Sequence, residues 1–147
     1  MFKKILVATD GSPLSEKAVE QAIDLACVHN AELVAFTVVI PIPRSYMEGT
    51  VIQAITAADA MERQQLEAAQ VLVDGIVARA GAVGLSCQSV VAHSSQVAES
   101  IIAAAKQHQS DLIVMASHGR KGIGRLLLGS ETQHVLTHSV LPVLVLR

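Results

Sequence analysis

Apolar residues fall along this chain in two alternating rhythms. Ile5-Leu6-Val7-Ala8 is a short continuous run with β-branched content, as expected of a buried strand. Thr9-Asp10-Gly11-Ser12-Pro13 breaks it. Ser12 suits an N-cap and Pro13 the first helical position. Leu14, Ala18, Ala22, Leu25 and Ala26 then recur at helical spacing, ending near His29-Asn30. Leu33 to Ile40 is a second strand-like run, stopped by Pro41-Ile42-Pro43. Arg44 to about Ile55 reads as irregular, or as a short helix and a loop. Thr56 to Ala80 carries the alanine, glutamate and glutamine content and the 3.6 period of one long helix, with Gly75 inside and Gly81 and Gly84 as its stop. Ser86 to Ala92 is a third strand, and His93-Ser94-Ser95 turns the chain. Val97, Ala98, Ile101, Ile102 and Ala105 make the apolar face of a third helix. Asp111 to Ala116, Ser130 to His138 and Leu141 to Leu146 predict a strand, a helix and a last strand. Strict β-α alternation without repeats or linkers predicts one α/β domain: an open parallel sheet with helices on both faces.

Composition sharpens this picture. Half the residues are apolar (51%), yet only 2% are aromatic and there is no Trp. The core must therefore come from Ala, Val, Leu and Ile, which suits helices lying close on a parallel sheet. A net charge of −2 and the scarcity of stacking aromatics argue against a nucleic-acid partner. No apolar run reaches the roughly 18 residues that span a membrane. Met1-Phe2-Lys3-Lys4 leads straight into a strand with no signal-peptide pattern, so a cytoplasmic protein is expected. Cys27 and Cys87 are isolated and read as buried thiols in a reducing compartment. His134 and His138 share i, i+4 spacing, but no H-E-x-x-H glutamate lies between them. A solvated helix face is the better reading of the two histidines.

Candidate chemistry concentrates after the fourth strand. Val114-Met115-Ala116-Ser117-His118-Gly119 leads into a basic, glycine-rich loop with Arg120, Lys121, Gly122, Gly124 and Arg125, and the loop ends at Gly129-Ser130. Ser130 can cap the next helix, with Gln133 three residues on as in a capping box. Free N–H groups at that helix start and the loop's positive charge describe a phosphate cradle. A flexible, solubilising loop is the plainer alternative. The P-loop pattern does not fit, and Leu127 stands where a dinucleotide fingerprint needs its third glycine. Asp10, at the tip of the first strand, is either a turn former or a ligand-facing carboxylate. His93 reads as a turn residue.

Together these motifs resemble the universal stress protein family across essentially the whole chain, residues 1–147. The resemblance rests on Ile5 through Ser12, on Ser117-His118-Gly119 with nine residues before Gly129-Ser130, and on Pro142-Val143-Leu144-Val145. The nucleotide-binding branch of that family carries G-x-x-G, nine residues, then G-[ST]. Here Ala116 stands at the first glycine, and Ala92 at the turn after the third strand. The resemblance implies a Rossmann-like sheet in the order 3-2-1-4-5 and ATP as ligand, with Mg²⁺ or Mn²⁺. By position, Asp10 would face ribose and metal, Ala8 and Thr9 would line base and sugar, and Val38 would meet adenine through its backbone. Gly119, Gly129 and Ser130 would hold the phosphates. Met115, Ala116 and Glu131, at the motif's flanks, complete the expected set, and Arg120 joins it through charge. A nucleotide-dependent regulator is expected, with a weak ATPase or a nucleotide-free interaction protein as alternatives. The apolar last strand, at a sheet edge, predicts a homodimer.

Overall fold

The computed structural model describes residues 1–44, 51–119 and 127–147. The strands are β1 (Lys4–Ala8), β2 (Glu32–Val39), β3 (Cys87–His93), β4 (Leu112–Ala116) and β5 (Val143–Leu146). The helices are α1 (Pro13–His29), α2 (Val51–Ala82), α3 (Val97–Gln107) and α4 (Ser130–His138). All strand pairings are parallel, in the order β3-β2-β1-β4-β5.

Strand side chains alternate between the two faces, and here both faces are covered. Ile5 and Val7 pack with Ala18, Ala22 and Ala26 of α1 and with Val73 and Ile76 of α2. Leu6 and Ala8 pack on the other side with Ala98 and Ile101 of α3 and with Val135 of α4. This is why the strands read as continuous apolar runs. The three alanines on the inner face of α1 let that helix lie close to the sheet. Among the described residues Phe36 is the largest fully buried side chain, and the core around it is mostly aliphatic.

The chain first builds outward from β1 to β2 to β3, with α1 and α2 on one face. It then recrosses the opposite face through α3 and lays β4 against the free side of β1. Val7 stands opposite Val114, and Ala8 opposite Phe36. Strand order therefore reverses between β1 and β4, and it is outside the carboxyl ends of the strands at such a reversal that open α/β sheets form their binding crevice.

The boundaries differ from expectation in instructive places. Val51 to Ile55 belongs to α2, although the stretch to Ile55 is expected as irregular chain or as a short helix and a loop ahead of the long helix. Helix propensity is a weak prior, and no Gly or Pro interrupts the segment. The rest of the expected irregular stretch, residues 45–50, lies outside the described residues. Gly81 is taken into α2, and the stop falls to Gly84, whose φ of 81° is left-handed. β5 begins at Val143, because Pro142 has no N–H to give the ladder. The two cysteines are not both buried: Cys27 is exposed, one position beyond the inward Ala26, and Cys87 is half-buried. Burial pushes the Cys87 thiol above its ordinary pKa.

The start of α1 is as the sequence predicts. Ser12 Oγ accepts from the Ser15 N–H at 3.3 Å, and Pro13 follows the cap. Ser12→Ala is expected to cost about 1 kcal/mol, a fall in Tm of about 3 °C, read by thermal unfolding.

Candidate functional site

At the tip of β1, short polar side chains fix the backbone. The Ser15 hydroxyl donates to the Ser12 carbonyl at 2.9 Å, so its oxygen is left to accept from Thr9 Oγ1 at 2.9 Å. Thr9 Oγ1 in turn accepts from the Gly11 N–H at 3.1 Å. From β2, Thr37 Oγ1 donates to the Thr9 carbonyl at 2.7 Å. Thr9 and Thr37 are buried, and their side chains brace the turn. Gly11 has φ 75°, a backbone angle that glycine adopts without steric cost. Asp10 Oδ1 accepts from the Ser12 N–H at 3.0 Å, so the turn-forming role is real.

The other carboxylate oxygen of Asp10 reaches toward the second half of the site. A Cβ added to Gly119 would collide with Asp10 Oδ2. The backbone after β4 thus passes directly over the Asp10 carboxylate, so close that a side chain at 119 would have to displace that carboxylate.

The tip of β4 is held just as firmly. The Ser117 N–H donates to the Leu146 carbonyl at 2.7 Å, and the Gly129 N–H donates to the Ser117 carbonyl at 2.7 Å. Thr132 Oγ1 donates to the Ala116 carbonyl at 2.9 Å. The glycine-rich loop is therefore pinched at its base: the chain leaves at Gly119 and returns at Gly129 beside Ser117 and His118. Arg120, Lys121, Gly122, Gly124 and Arg125 lie outside the described residues. Ser117 Oγ and His118 Nδ1 are 3.1 Å apart.

The capping box at Ser130 is a correction. Gly129 is the N-cap, with φ −61° and ψ 153°, and Ser130 is the first helical residue. The Gln133 N–H bonds to the Gly129 carbonyl, and no side chain caps α4. The cause is the bond from Gly129 to Ser117, which sets the helix start one residue earlier. The first-turn N–H groups of α4 keep the partial positive charge of an uncapped helix start. Gly129 matters for packing as well. A Cβ there would stand 3.3 Å from the Ser117 carbonyl oxygen and 3.4 Å from His118 Cα, so a side chain would press on the chain's own backbone.

The remaining expected residues divide. Ala8 and Ala116 are buried at the two strand tips and present backbone only. Met115 is buried in the core facing α3 and α4. Val38 is half-buried near the tip of β2, opposite Ala92 of β3. Glu131 turns to α3, where its Oε2 accepts from the Ala98 N–H at 2.9 Å. The bracing roles of Ser15, Thr37 and Thr132 escape sequence reading. Their only signal is a hydroxyl within an otherwise apolar strand or at the first turn of a helix.

Among the described residues, no three His, Cys, Asp or Glu side chains group into a metal site. Asp10 offers a single carboxylate, so a divalent cation there would draw most of its oxygens from a bound phosphate group and water. The His134 and His138 rings stack with centroids 4.1 Å apart. His134 Nε2 meets Glu99 at 3.2 Å, and His138 Nδ1 lies 3.0 Å from the His134 carbonyl. His93 Nε2 meets Glu62 Oε1 at 2.8 Å, tying the end of β3 to α2. Among the described residues, no helix is long and apolar enough to cross a membrane.

The sequence profile of the Universal stress protein family matches residues 1–147. A universal stress protein of Thermus aquaticus is 31% identical over 147 residues, covering all of both chains. Among solved structures, the protein MJ0577 of Methanocaldococcus jannaschii superposes with a TM-score of 0.81 at 26% identity, covering 99% of this chain and 96% of that one. A universal stress protein solved in complex with cAMP shares the fold at 22% identity, with a TM-score of 0.65 and coverage of 99% and 97%. With its five parallel strands in the order 3-2-1-4-5 and a family match from the first residue to the last, this chain belongs to the universal stress protein family.

Proposed function

We propose that this protein binds ATP in the crevice between the tips of β1 and β4, and acts as a dimeric, nucleotide-dependent regulator. One observation carries the reading: Gly119 lies so close against the Asp10 carboxylate that a side chain there would push the carboxylate aside. A backbone drawn that close, beside an uncapped helix start at the other end of the same loop, suits a phosphate chain and the sugar next to it. The cAMP complex of a protein with this fold fits the same chemistry.

In this arrangement Asp10 serves ribose and a phosphate-borne Mg²⁺ or Mn²⁺. The backbones of Ala8, Thr9 and Val38 line sugar and adenine. Gly119, Gly129 and Ser130 take the phosphates, and Arg120 adds charge from the loop. Binding is proposed rather than efficient hydrolysis. Hydrolysis needs a side chain that orients water, and Glu131, the acidic residue in the first turn of α4, is engaged with Ala98. The open edge of β5 is the proposed dimer seam.

Mass spectrometry of small molecules released from freshly purified protein tests the reading, with calorimetry to follow. Asp10→Asn is expected to weaken ATP binding in Mg²⁺ by about tenfold. The ligand-free Tm should hardly move, because Asn keeps an oxygen for the Ser12 N–H. A large fall in Tm with unaltered ATP affinity would make Asp10 a turn residue alone.

A further inference from the structure

A carboxylate in the first turn of a phosphate-binding helix is an electrostatic contradiction, because it repels the anion that the helix attracts. Glu131 is such a residue, next in sequence to Ser130. The structure shows how the contradiction is relieved. Its Oε2 accepts from the Ala98 N–H at 2.9 Å, in the first turn of α3. That turn has no cap of its own: Gln96 stands at the N-cap position and makes no side-chain capping bond. Glu131 therefore caps a helix that precedes it by more than thirty residues, across the α3–α4 contact. The positive end of α3 offsets the carboxylate's charge. The same bond ties the start of α4 to the segment that follows β3.

We infer that Glu131 is a positioning residue for the nucleotide site: it clasps the first turn of α4 to the first turn of α3, so that occupancy of the Gly129-Ser130 turn and the order of α3 rise together. The inference rests on the nucleotide reading above and extends it to a residue that does not touch the ligand. Gly129 is fixed on its other side by its bond to Ser117, so the turn is held between β4 and α3. A phosphate group that tightens the α4 start tightens the α3 start through Glu131.

Two variants and two measurements test this. Glu131→Ala removes the acceptor, whereas Glu131→Gln removes the charge and keeps an oxygen for Ala98. Both changes fall on an exposed side chain, so both variants should fold. In ligand-free protein, amide hydrogen exchange at Ala98 should be about fivefold faster in Glu131→Ala than in wild type. Glu131→Gln should restore most of the protection. In calorimetry, Glu131→Ala should bind ATP about three- to tenfold more weakly than Glu131→Gln. ATP should slow exchange at Ala98 in wild type and not in Glu131→Ala. Unchanged Ala98 exchange in ligand-free Glu131→Ala overturns the clasp, whatever ATP does. Equal ATP affinity of the two variants, or ATP protection of α3 that survives in Glu131→Ala, overturns the positioning role. If wild type binds no nucleotide, the reading of the site fails and the ligand half of this inference fails with it. Faster ligand-free exchange would then still establish the clasp on its own.

Discussion

Gly119→Ala should weaken ATP binding roughly thirty- to a hundredfold, about 2 to 3 kcal/mol, while the protein stays folded. The added methyl meets the Asp10 carboxylate oxygen. Side-chain ends can move, which is why the fold survives. Asp10, however, also accepts from the Ser12 N–H at 3.0 Å and cannot rotate freely away. Either the carboxylate leaves the position proposed for it beside ribose and metal, or the 117–119 segment lifts off the β1 tip. Each outcome spoils the ligand geometry. A double-mutant cycle separates this from a generic loop effect. With Asp10→Ala already in place, Gly119→Ala loses its steric opponent and should cost little further affinity. Additive losses by calorimetry would show that the close approach is incidental. Gly129→Ala provides a graded comparison. Its new methyl stands 3.3 Å from the Ser117 carbonyl oxygen, tight but short of collision, so a smaller loss is expected.

Val145→Pro should convert a dimer to a monomer, and the ladder shows why that position is chosen. The Ile113 N–H donates to the Pro142 carbonyl and the Ser117 N–H donates to the Leu146 carbonyl. Even-numbered residues of this segment therefore face β4. In a parallel ladder each residue turns both its N–H and its C=O to the same side. Val143 and Val145 thus present theirs to the open edge of the sheet. An unpaired edge of this kind invites a second chain, and Leu144 beside it is 37% exposed. Proline at 145 deletes one outward donor and leaves the bonds to β4 intact. Leu144→Pro would instead break the β4–β5 ladder and lower Tm. Sedimentation at tens of micromolar, on the order of 10⁻⁵ M, should find wild type dimeric and Val145→Pro monomeric, with a smaller fall in Tm than Leu144→Pro causes, since Val145 gives up only its half-buried packing. A wild-type monomer, or a dimer indifferent to Val145→Pro, would rule out this seam.

The sheet was readable because parallel strands buried on both faces leave unbroken apolar runs, as Leu6 to Ala8 and Ile113 to Ala116 do. Ser12-Pro13 marked a helix start because capping is a local bond between neighbours in sequence. Where a long-range contact decides the outcome, local signals misled. Ser130 carries every mark of an N-cap, yet the bond from Gly129 back to Ser117 moved the cap by one residue. Glu131 sits within the nucleotide motif, but its partner is Ala98 on another helix. The inward face of α1 is set by its packing on β1 and β4, so Cys27, one step round the helix from Ala26, is exposed. The motif's glycine spacing picks out Gly119 and Gly129, which the bond from Gly129 N–H to the Ser117 carbonyl brings to one end of the sheet. The close contact at Gly119 depends on Asp10, from the opposite end of the sequence, and no local signal announces it.

The meeting of Asp10 with Gly119 also bears on how the chain acquires its site. One side of the crevice is complete after the first strand and turn. The other requires the fourth strand to dock beside the first, after two strands and three helices have intervened. Contacts between such remote segments form late, because a long loop must be closed before they are rewarded. A chain cut before β4, or one still leaving the ribosome, carries Asp10 without its counterpart. Any ligand that needs both sides binds only the finished molecule and stabilises it by mass action. The number of sites that such a ligand fills at saturation then counts the molecules that have both sides of the crevice in place.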